Sequence, residues 1–308
     1  MLGLCRAPMA VAPTTAYLMV GGRCGRDCAF CAQARTSGAG ADMLSRVSWP
    51  PFPDRQVIEA LQAQAGRFQR VCIQSTAGPG SFDRLLALVE QLRVQISLPV
   101  DASVLPPSPQ AADALIEAGV DHIGFGVDAA TMSVFRAVKG PGWEQYRGLI
   151  EHVAERHPGR AAVHLIAGLG ESERELIQAI QAYADAGVTV GLFAFCPVAG
   201  TRMAGHPQPA LASYRRVQVA ARLIAGGWAR AHDLGFDDQG TLAQLPDGVL
   251  CHLLDGKAFE TSGCPGCNRP YYNERPGGAM YNYPRPLTES EAREALMSTG
   301  LVQGVSGG

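Results

Sequence analysis

Three cysteines fall within eight residues of the stretch GGRCGRDCAFCAQAR (21–35): Cys24, Cys28 and Cys31. Thiols this close could form a disulfide, bind zinc, hold an iron–sulfur cluster, or simply pack. The spacing C-x3-C-x2-C supplies three ligands from one loop, with no adjacent His and no fourth Cys. A structural zinc site takes four ligands, usually as two paired knuckles, so this loop is one short. Cysteine thiolates also hold cubane clusters. Three of them leave one iron open, as a catalytic zinc site keeps a position open. The chain has nine cysteines, and clustering of that kind in a cytoplasmic protein points to metal binding or catalysis rather than disulfides. A second group lies near the C-terminus: Cys251, then Cys264 and Cys267 in a C-x2-C knuckle turned by Pro265 and Gly266. Cys5, Cys72 and Cys196 are scattered.

The elements that must position these thiols alternate regularly. Short apolar runs at 14–22, 70–76, 98–105, 120–128, 161–170 and 188–201 read as strands. Stretches with helical spacing lie between and after them, at 53–66, 81–94, 108–119, 130–138, 143–156, 172–187 and 210–227, with Ser108 as a cap. Six strands alternating with helices imply a parallel sheet of βαβ units. The expected fold class is α/β, a partial (β/α)6 TIM-type barrel, since eight regular units do not fit. Beyond residue 228 the texture turns to Pro, Gly, Tyr and Asn, so we expect a core at 1–230 and an irregular cysteine-containing extension at 231–308. In such architectures the loops after the strands form the active face, and Cys24, Cys28 and Cys31 directly follow the first strand.

The chain of 308 residues is 47% hydrophobic with a formal net charge of −2, which gives no basic excess for nucleic acid. It has no apolar run of membrane-spanning length and no signal-peptide pattern at its start. A cytoplasmic protein is expected.

The motif C-x3-C-x-aromatic-C after a first barrel strand resembles that of the radical S-adenosylmethionine superfamily. The resemblance implies a [4Fe–4S] cluster on Cys24, Cys28 and Cys31, whose open iron chelates S-adenosylmethionine. An electron from an external donor then yields a 5′-deoxyadenosyl radical that abstracts hydrogen from substrate. It also implies cofactor-binding positions. Phe30 would pack near the adenine. Ser75 and Thr76, in QSTAGP, would meet the methionyl amino group, with strand-end capping as the competing reading. Asp128, in FGVDAAT, would bind the ribose hydroxyls, or else cap the helix from 130. Glu171 lies in AGLGES, which is similar to a G-x-G-E segment near the cofactor. FCPVAGT (195–201) resembles the family's turn beside the adenine. Lys139 would meet the methionyl carboxylate, or be a solvated loop charge.

The branch most similar is the biotin synthase-like one. Its common members carry a second cluster on strand cysteines. Here Cys72 matches one position, but Ser103 and Ala162 stand at the other two, so that cluster is expected to be absent and Cys72 to be a small buried hydrophobe. The C-terminal group is the substitute. Its phrase TSGCPGCNRPYYNERPGG is similar to that of the two-component lipoyl synthases. This implies an auxiliary iron–sulfur cluster on Cys251, Cys264 and Cys267, degraded to donate sulfur. Cys5, Cys196, a Ser such as Ser262, or a bound sulfide or substrate would be the fourth ligand; zinc with His252 or a distant Cys is the competing reading. The substrate would be an octanoylated lipoyl carrier domain, the partner a related second lipoyl synthase subunit, and Arg269, Tyr271, Tyr272 and Arg275 candidate carrier contacts. Rival readings are a biotin synthase-type sulfur insertion, another radical enzyme of the branch such as a carbon-skeleton rearranging enzyme or maturase, and a non-enzymatic iron–sulfur or zinc scaffold.

Overall fold

The structure, a computed structural model, describes residues 2, 4, 11–270, 272–274 and 278–302. Six parallel strands form one sheet in chain order: β1 (Thr15–Val20), β2 (Arg70–Ser75), β3 (Val100–Ser103), β4 (Val120–Asp128), β5 (Ala161–Ala167) and β6 (Thr189–Ala194). Seven helices alternate with them: α1 (Asp54–Gln64), α2 (Ser81–Gln95), α3 (Pro109–Glu117), α4 (Met132–Lys139), α5 (Trp143–Arg156), α6 (Glu173–Asp185) and α7 (Leu211–Ala225). β1 and β6 do not pair, so the barrel is partial as expected. Local chemistry starts several helices. Ser108 accepts from the Ala111 N–H with Pro109 in the first turn, and Ser172 and Glu175 form a capping box on α6.

Strand alternation divides the work. Ala16, Leu18 and Val20 of β1 face the helices in a cluster with Ile73, Leu85 and Val89. Leu165, Leu192, Tyr214 and Val217 join β5 and β6 to α6 and α7. The other parity faces the barrel interior in rows. Register aligns Tyr17 with Cys72, Cys72 with Asp101, and Asp101 with His122. One step nearer the C-terminal ends, Met19, Gln74, Ser103 and Gly124 align in the same way. Polar and sulfur side chains in an interior usually filled by branched apolar ones mark a site rather than a core.

We propose keeping the division at residue 230, since the whole six-stranded sheet and its helices precede it. The described residues beyond it hold a two-stranded antiparallel ribbon (Gly235–Phe236 with Leu242–Gln244), short helical turns and one further α-helix, α8 (Glu289–Met297), started by a Thr288–Glu291 capping box. Leu253, Phe259 and Leu296 pack there against Val219 and Leu223 of α7. The segment 261–269 ties the two unpaired sheet edges together. On the β6 side the Ser262 hydroxyl accepts from Leu192 N–H at 2.9 Å. On the β1 side Thr14 N–H donates to Asn268 Oδ1 at 2.9 Å and the Thr14 hydroxyl to the Gly266 carbonyl at 2.5 Å. An open edge is a row of unsatisfied backbone groups, and this segment satisfies part of it while carrying Cys264 and Cys267 inward.

Candidate active site

The first thiol group sits on the loop after β1, at the C-terminal ends of the strands. Cys24 and Gln33 close the loop by a backbone hydrogen bond of 3.0 Å, and Gly25 N–H donates to the Ala77 carbonyl at 3.0 Å. Ala77 N–H in turn donates to the Cys24 sulfur at 3.3 Å. All three thiols are free and half-buried. Burial raises the Cys28 pKa and pushes Cys31 up to about 12, with the other thiols of the group adding to it. Thiols so protonated bind metal only as the cation displaces the proton. Among the described residues, Asp101, His122 and Cys264 are the one trio with ligand atoms all within 4.8 Å. Cys24, Cys28 and Cys31 act on one another electrostatically and are not such a trio. Three thiols on one loop, the open cavity beside them and the N–H aimed at sulfur fit a multi-iron cluster.

A cavity of about 230 Å³ opens beside this loop, lined by all three cysteines with Phe30, Ser75, Thr76, Asp128 and Lys139. Lys139 is not a solvated loop charge: it is 5% exposed, and its ammonium donates to Asp128 Oδ2 and the Gly126 carbonyl. It lies 4.9 Å from the centre of the Tyr146 ring and 6.0 Å from that of Phe30. Burial opposes its charge, but Asp128 and Tyr146 outweigh that and raise its pKa. Asp128 is not a helix cap either, because Thr131 accepts the Val134 N–H at the start of α4. It follows a register shift in β4 and sits at φ 67°, a left-handed conformation. Asp tolerates that region better than most residues, and bulges re-aim side chains beside sites. Thr76 turns partly inward, its hydroxyl 3.3 Å from that of Ser81. Glu171 does not line the cavity; its carboxylate accepts from Gly168 N–H at 2.7 Å and Leu169 N–H at 3.2 Å, bracing the loop after β5.

The second thiol group differs from the expected one. Cys251 is exposed on the turn Val249–His252, its thiol donating to the Gly248 carbonyl. That turn is drawn away by burial of Val249 in the α7–α8 cluster. His252 stacks on Trp228, with ring centroids 4.1 Å apart. Cys72 takes the vacated place: Cys264 feels both Cys72 and Cys267, and burial raises its pKa. Burial likewise pushes Cys72 up to about 12. Cys72 is thus no isolated hydrophobe; Gln74 Nε2 donates to its sulfur at 3.0 Å. The Tyr17 oxygen accepts the Arg269 N–H at 3.0 Å and lies 3.2 Å from the Cys267 sulfur, to which the hydroxyl would donate once that sulfur is a thiolate. Arg70 binds the Pro265 carbonyl at 2.7 Å and Asp101 at 2.5 Å, and Asp101 reaches His122 at 3.0 Å. With Arg70 on Asp101, the Asp101–His122–Cys264 trio already has its cation. Ser262 is engaged with β6, Cys196 lines the upper cavity, and Cys5 lies outside the described residues.

Arg269 and Tyr272 line the cavity between the two groups rather than an outer face. The Arg269 guanidinium lies 5.1 Å, 5.3 Å and 4.7 Å from the ring centres of Tyr17, Phe193 and Tyr272, a cation–π cage. Tyr272 feels both Cys31 and Cys72, which places it between the groups. Tyr271 and Arg275 lie outside the described residues. His164 of β5 also faces this cavity, and burial, with Arg269 and Lys139 nearby, lowers its pKa to about 3. Tyr17, Asp101, His122 and His164 were legible as polar residues at interior parity within apolar strands, a pattern unlike the continuous apolar runs of buried parallel strands.

Comparison with known proteins agrees with this geometry. The family model described as the radical SAM superfamily matches residues 18–183. A biotin synthase of Desulforudis audaxviator is 31% identical over 257 residues, 79% of this chain and 74% of that protein. A biotin synthase of Desulfotalea psychrophila is 28% identical over 190 residues, 60% of this chain and 55% of that protein. Among solved structures, methylornithine synthase superposes with a TM-score of 0.56 at 15% identity, covering 93% of this chain and 82% of that one. The FeFe-hydrogenase maturase HydG of Carboxydothermus hydrogenoformans gives a TM-score of 0.54 at 16% identity, covering 93% and 66%. At these identities the structural likenesses speak for the fold alone.

Proposed function

The chain belongs to the radical SAM superfamily, in its biotin synthase-like branch, and on that premise we propose that it inserts sulfur at an unactivated carbon of a protein-bound octanoyl chain. It is a radical S-adenosylmethionine enzyme. Cys24, Cys28 and Cys31 would hold the [4Fe–4S] cluster, and Cys72, Cys264 and Cys267 an auxiliary one. When bound, these groups supply the electron that cleaves S-adenosylmethionine and the sulfur that is donated.

The observation that carries this reading is the second thiol group, gathered within the same barrel behind Arg269 and Tyr272, which line the cavity of the first. Radical chemistry alone needs one thiol set; a second, one layer of side chains from the reaction cavity, suits a sulfur donor. This chain's own residues then have definable tasks. Phe30, Ser75, Thr76 and Asp128 line the space where the cofactor's adenosyl and methionyl parts would lie. Lys139 holds the Asp128 carboxylate oriented, and Glu171 braces the adjoining loop. His164, neutral at ordinary pH, adds no charge to the path between the groups. Low polarity there protects a radical from side reactions. An external electron donor and a related second subunit belong to the same proposal, as does a cytoplasmic location; no helix among the described residues is long and apolar enough to cross a membrane.

The test is anaerobic reconstitution followed by reaction with octanoylated carrier peptide, S-adenosylmethionine and reductant. Two cubanes predict about eight irons per chain, and mass spectrometry should find a gain of sulfur on the peptide. About four irons with one zinc would reject the two-cluster assignment, and 5′-deoxyadenosine formed without sulfur transfer would reject the octanoyl substrate. One observation favours a second reading, biotin synthase-type insertion into a small carboxylate substrate: among the described residues no carboxylate pairs with Arg269. Running the same assay with the biotin precursor separates the two.

A further inference from the structure

We propose that an apolar chamber along the free edge of β1 receives the substrate's aliphatic chain, and that its ligand is an unbranched, medium-length acyl group bearing an amide carbonyl. This rests on the acyl-chain reading above and adds the route and the recognition. The chamber measures about 660 Å³, within the range of small-molecule sites, about 300–1,000 Å³. It touches Leu18 and Val20 of β1 as well as Tyr17 and Met19. These have opposite parity, so the chamber wraps the unpaired edge of the strand, where a complete barrel would place a neighbour. Its outer wall is Trp49, Pro51, Phe52 and Val57. Asp54 and Arg84, which also line it, are paired with each other at 3.2 Å, so neither offers a free charge to a ligand.

Two observations specify the occupant. First, the chamber adjoins the thiol-lined cavity: Met19, Leu44, Gln74, Arg269 and Tyr272 line both. A chain lying along β1 would bring its far end toward Arg269 and Tyr272, beside the cavity that Cys31 lines. Second, the Trp49 Nε1 is buried with no hydrogen-bond partner among the described residues. A buried donor left unmade is costly, and this N–H on a mainly apolar wall, with Gln74 and Arg269 only on the side that adjoins the thiol cavity, suits a ligand that is apolar except for one carbonyl. An aliphatic chain buried in such a chamber gains affinity with each methylene.

The experiment is equilibrium binding of Nε-acyl-lysine amides with four to ten acyl carbons to the full-length reconstituted protein, by calorimetry and by Trp49 emission in a Trp143→Phe/Trp228→Phe background. Affinity should rise about fourfold per methylene and level off once the chamber is filled. Val47→Trp and Val57→Trp, which narrow it from two sides, should weaken the eight-carbon probe at least tenfold, spare the four-carbon probe, and leave substrate-free cleavage of S-adenosylmethionine unchanged. Val47 is 38% exposed, so its replacement tests the chamber without risking the core. Trp49→Phe should weaken the amide probes about fivefold and leave decane binding unchanged. Binding independent of chain length, or unaltered by both tryptophan variants, overturns the proposal, and free octanoate binding tenfold better than its amide overturns the carbonyl assignment. If the chamber binds acyl amides as described but no sulfur is ever transferred, the reaction proposed above falls while the chamber assignment stands.

Discussion

The two thiol groups are built in opposite ways. Cys24, Cys28 and Cys31 come from one loop, held by contacts to the next loop such as Gly25 on Ala77. Cys72, Cys264 and Cys267 meet only because the C-terminal segment crosses the barrel, pinned by contacts such as Arg70 on Pro265, 195 residues away in sequence. Their electrostatics also differ. The first group has a compensated pair beside it, Asp128 with Lys139. The second has a compensated pair too, Arg70 with Asp101 beside Cys264, and in addition Arg269, held by aromatic rings and thiols with no carboxylate on it among the described residues. A local group can be loaded as soon as its loop forms. A non-local one depends on the whole fold, which suits a site whose contents are consumed and must be replaced.

The largest expected effects test this division directly. Replacing any of Cys24, Cys28 or Cys31 by Ala should abolish 5′-deoxyadenosine formation, a loss of at least about a thousandfold, and remove about half of the iron. Replacing Cys72, Cys264 or Cys267 should also remove about half of the iron while cleavage of S-adenosylmethionine continues and sulfur transfer stops. Cys251→Ala should retain full iron and activity, being exposed and apart. Iron loss in Cys251→Ala, or full iron in Cys72→Ala, would break the assignment of the second group.

Next in size is a contrast between two cations. Lys139→Met leaves Asp128 without its partner in a half-buried site, and breaking such a pair costs about 3–5 kcal/mol. Arg269→Met removes a cation that has no carboxylate to strand, so the lost cation–π contacts and the relieved desolvation should offset to within about 1 kcal/mol. Urea denaturation of the metal-free variants measures both. Equal destabilisation would mean that Arg269 has a charge partner outside the described residues.

His164 lies where both regions act on it, since Arg269 from one and Lys139 from the other lower its pKa to about 3. In an unfolded chain the value is about 6.5. Between these limits the unfolded state binds a proton that the native state does not. The stability contribution is therefore complete above about pH 6.5 and is lost as pH falls toward 3, by up to about 1.4 kcal/mol per pH unit. From pH 7 to pH 5 the protein should lose about 2 kcal/mol more than His164→Gln, as read from denaturation midpoints at each pH. Parallel profiles would show that the imidazole is solvated in both states.

Legibility in the sequence followed the same line between local and non-local. The strands and helices of the core were readable because each carries its own period and cap, as at Ser108 and Ser172. The first thiol loop was readable because its spacing is contiguous. Cys72 was read as a buried residue on its own, and it is buried, but its neighbours arrive by tertiary folding; no window of sequence around RVCIQST contains Cys264. Lys139 was misread for a similar reason, since a lysine ending a short helix is normally solvated and only the strand bulge at Asp128 supplies its counter-ion. α8 was a local miss with a local signal, the Thr288-x-x-Glu291 capping box.

The smallest predicted effect separates the two groups most cleanly. Tyr17, the third residue of β1, hydrogen-bonds to the second group: its oxygen accepts from Arg269 N–H and lies 3.2 Å from the Cys267 sulfur, to which the hydroxyl donates once that sulfur is a thiolate. Tyr17→Phe keeps the ring that faces the Arg269 guanidinium at 5.1 Å but strips Cys267 of a hydrogen bond and Arg269 N–H of its acceptor. Loss of one such net hydrogen bond costs about 1 kcal/mol of stability. Hydrogen bonds to ligand sulfur also tune cluster potential, and the donor that plays this part for the first group is a backbone N–H, that of Ala77 on Cys24, which a side-chain change on β1 leaves in place. In the reconstituted variant, a potentiometric titration followed by electron paramagnetic resonance should therefore show one of two midpoints moved to lower potential and the other unmoved. Movement of both would mean that the groups are coupled through the cavity; movement of neither would mean that Cys267 is not a ligand.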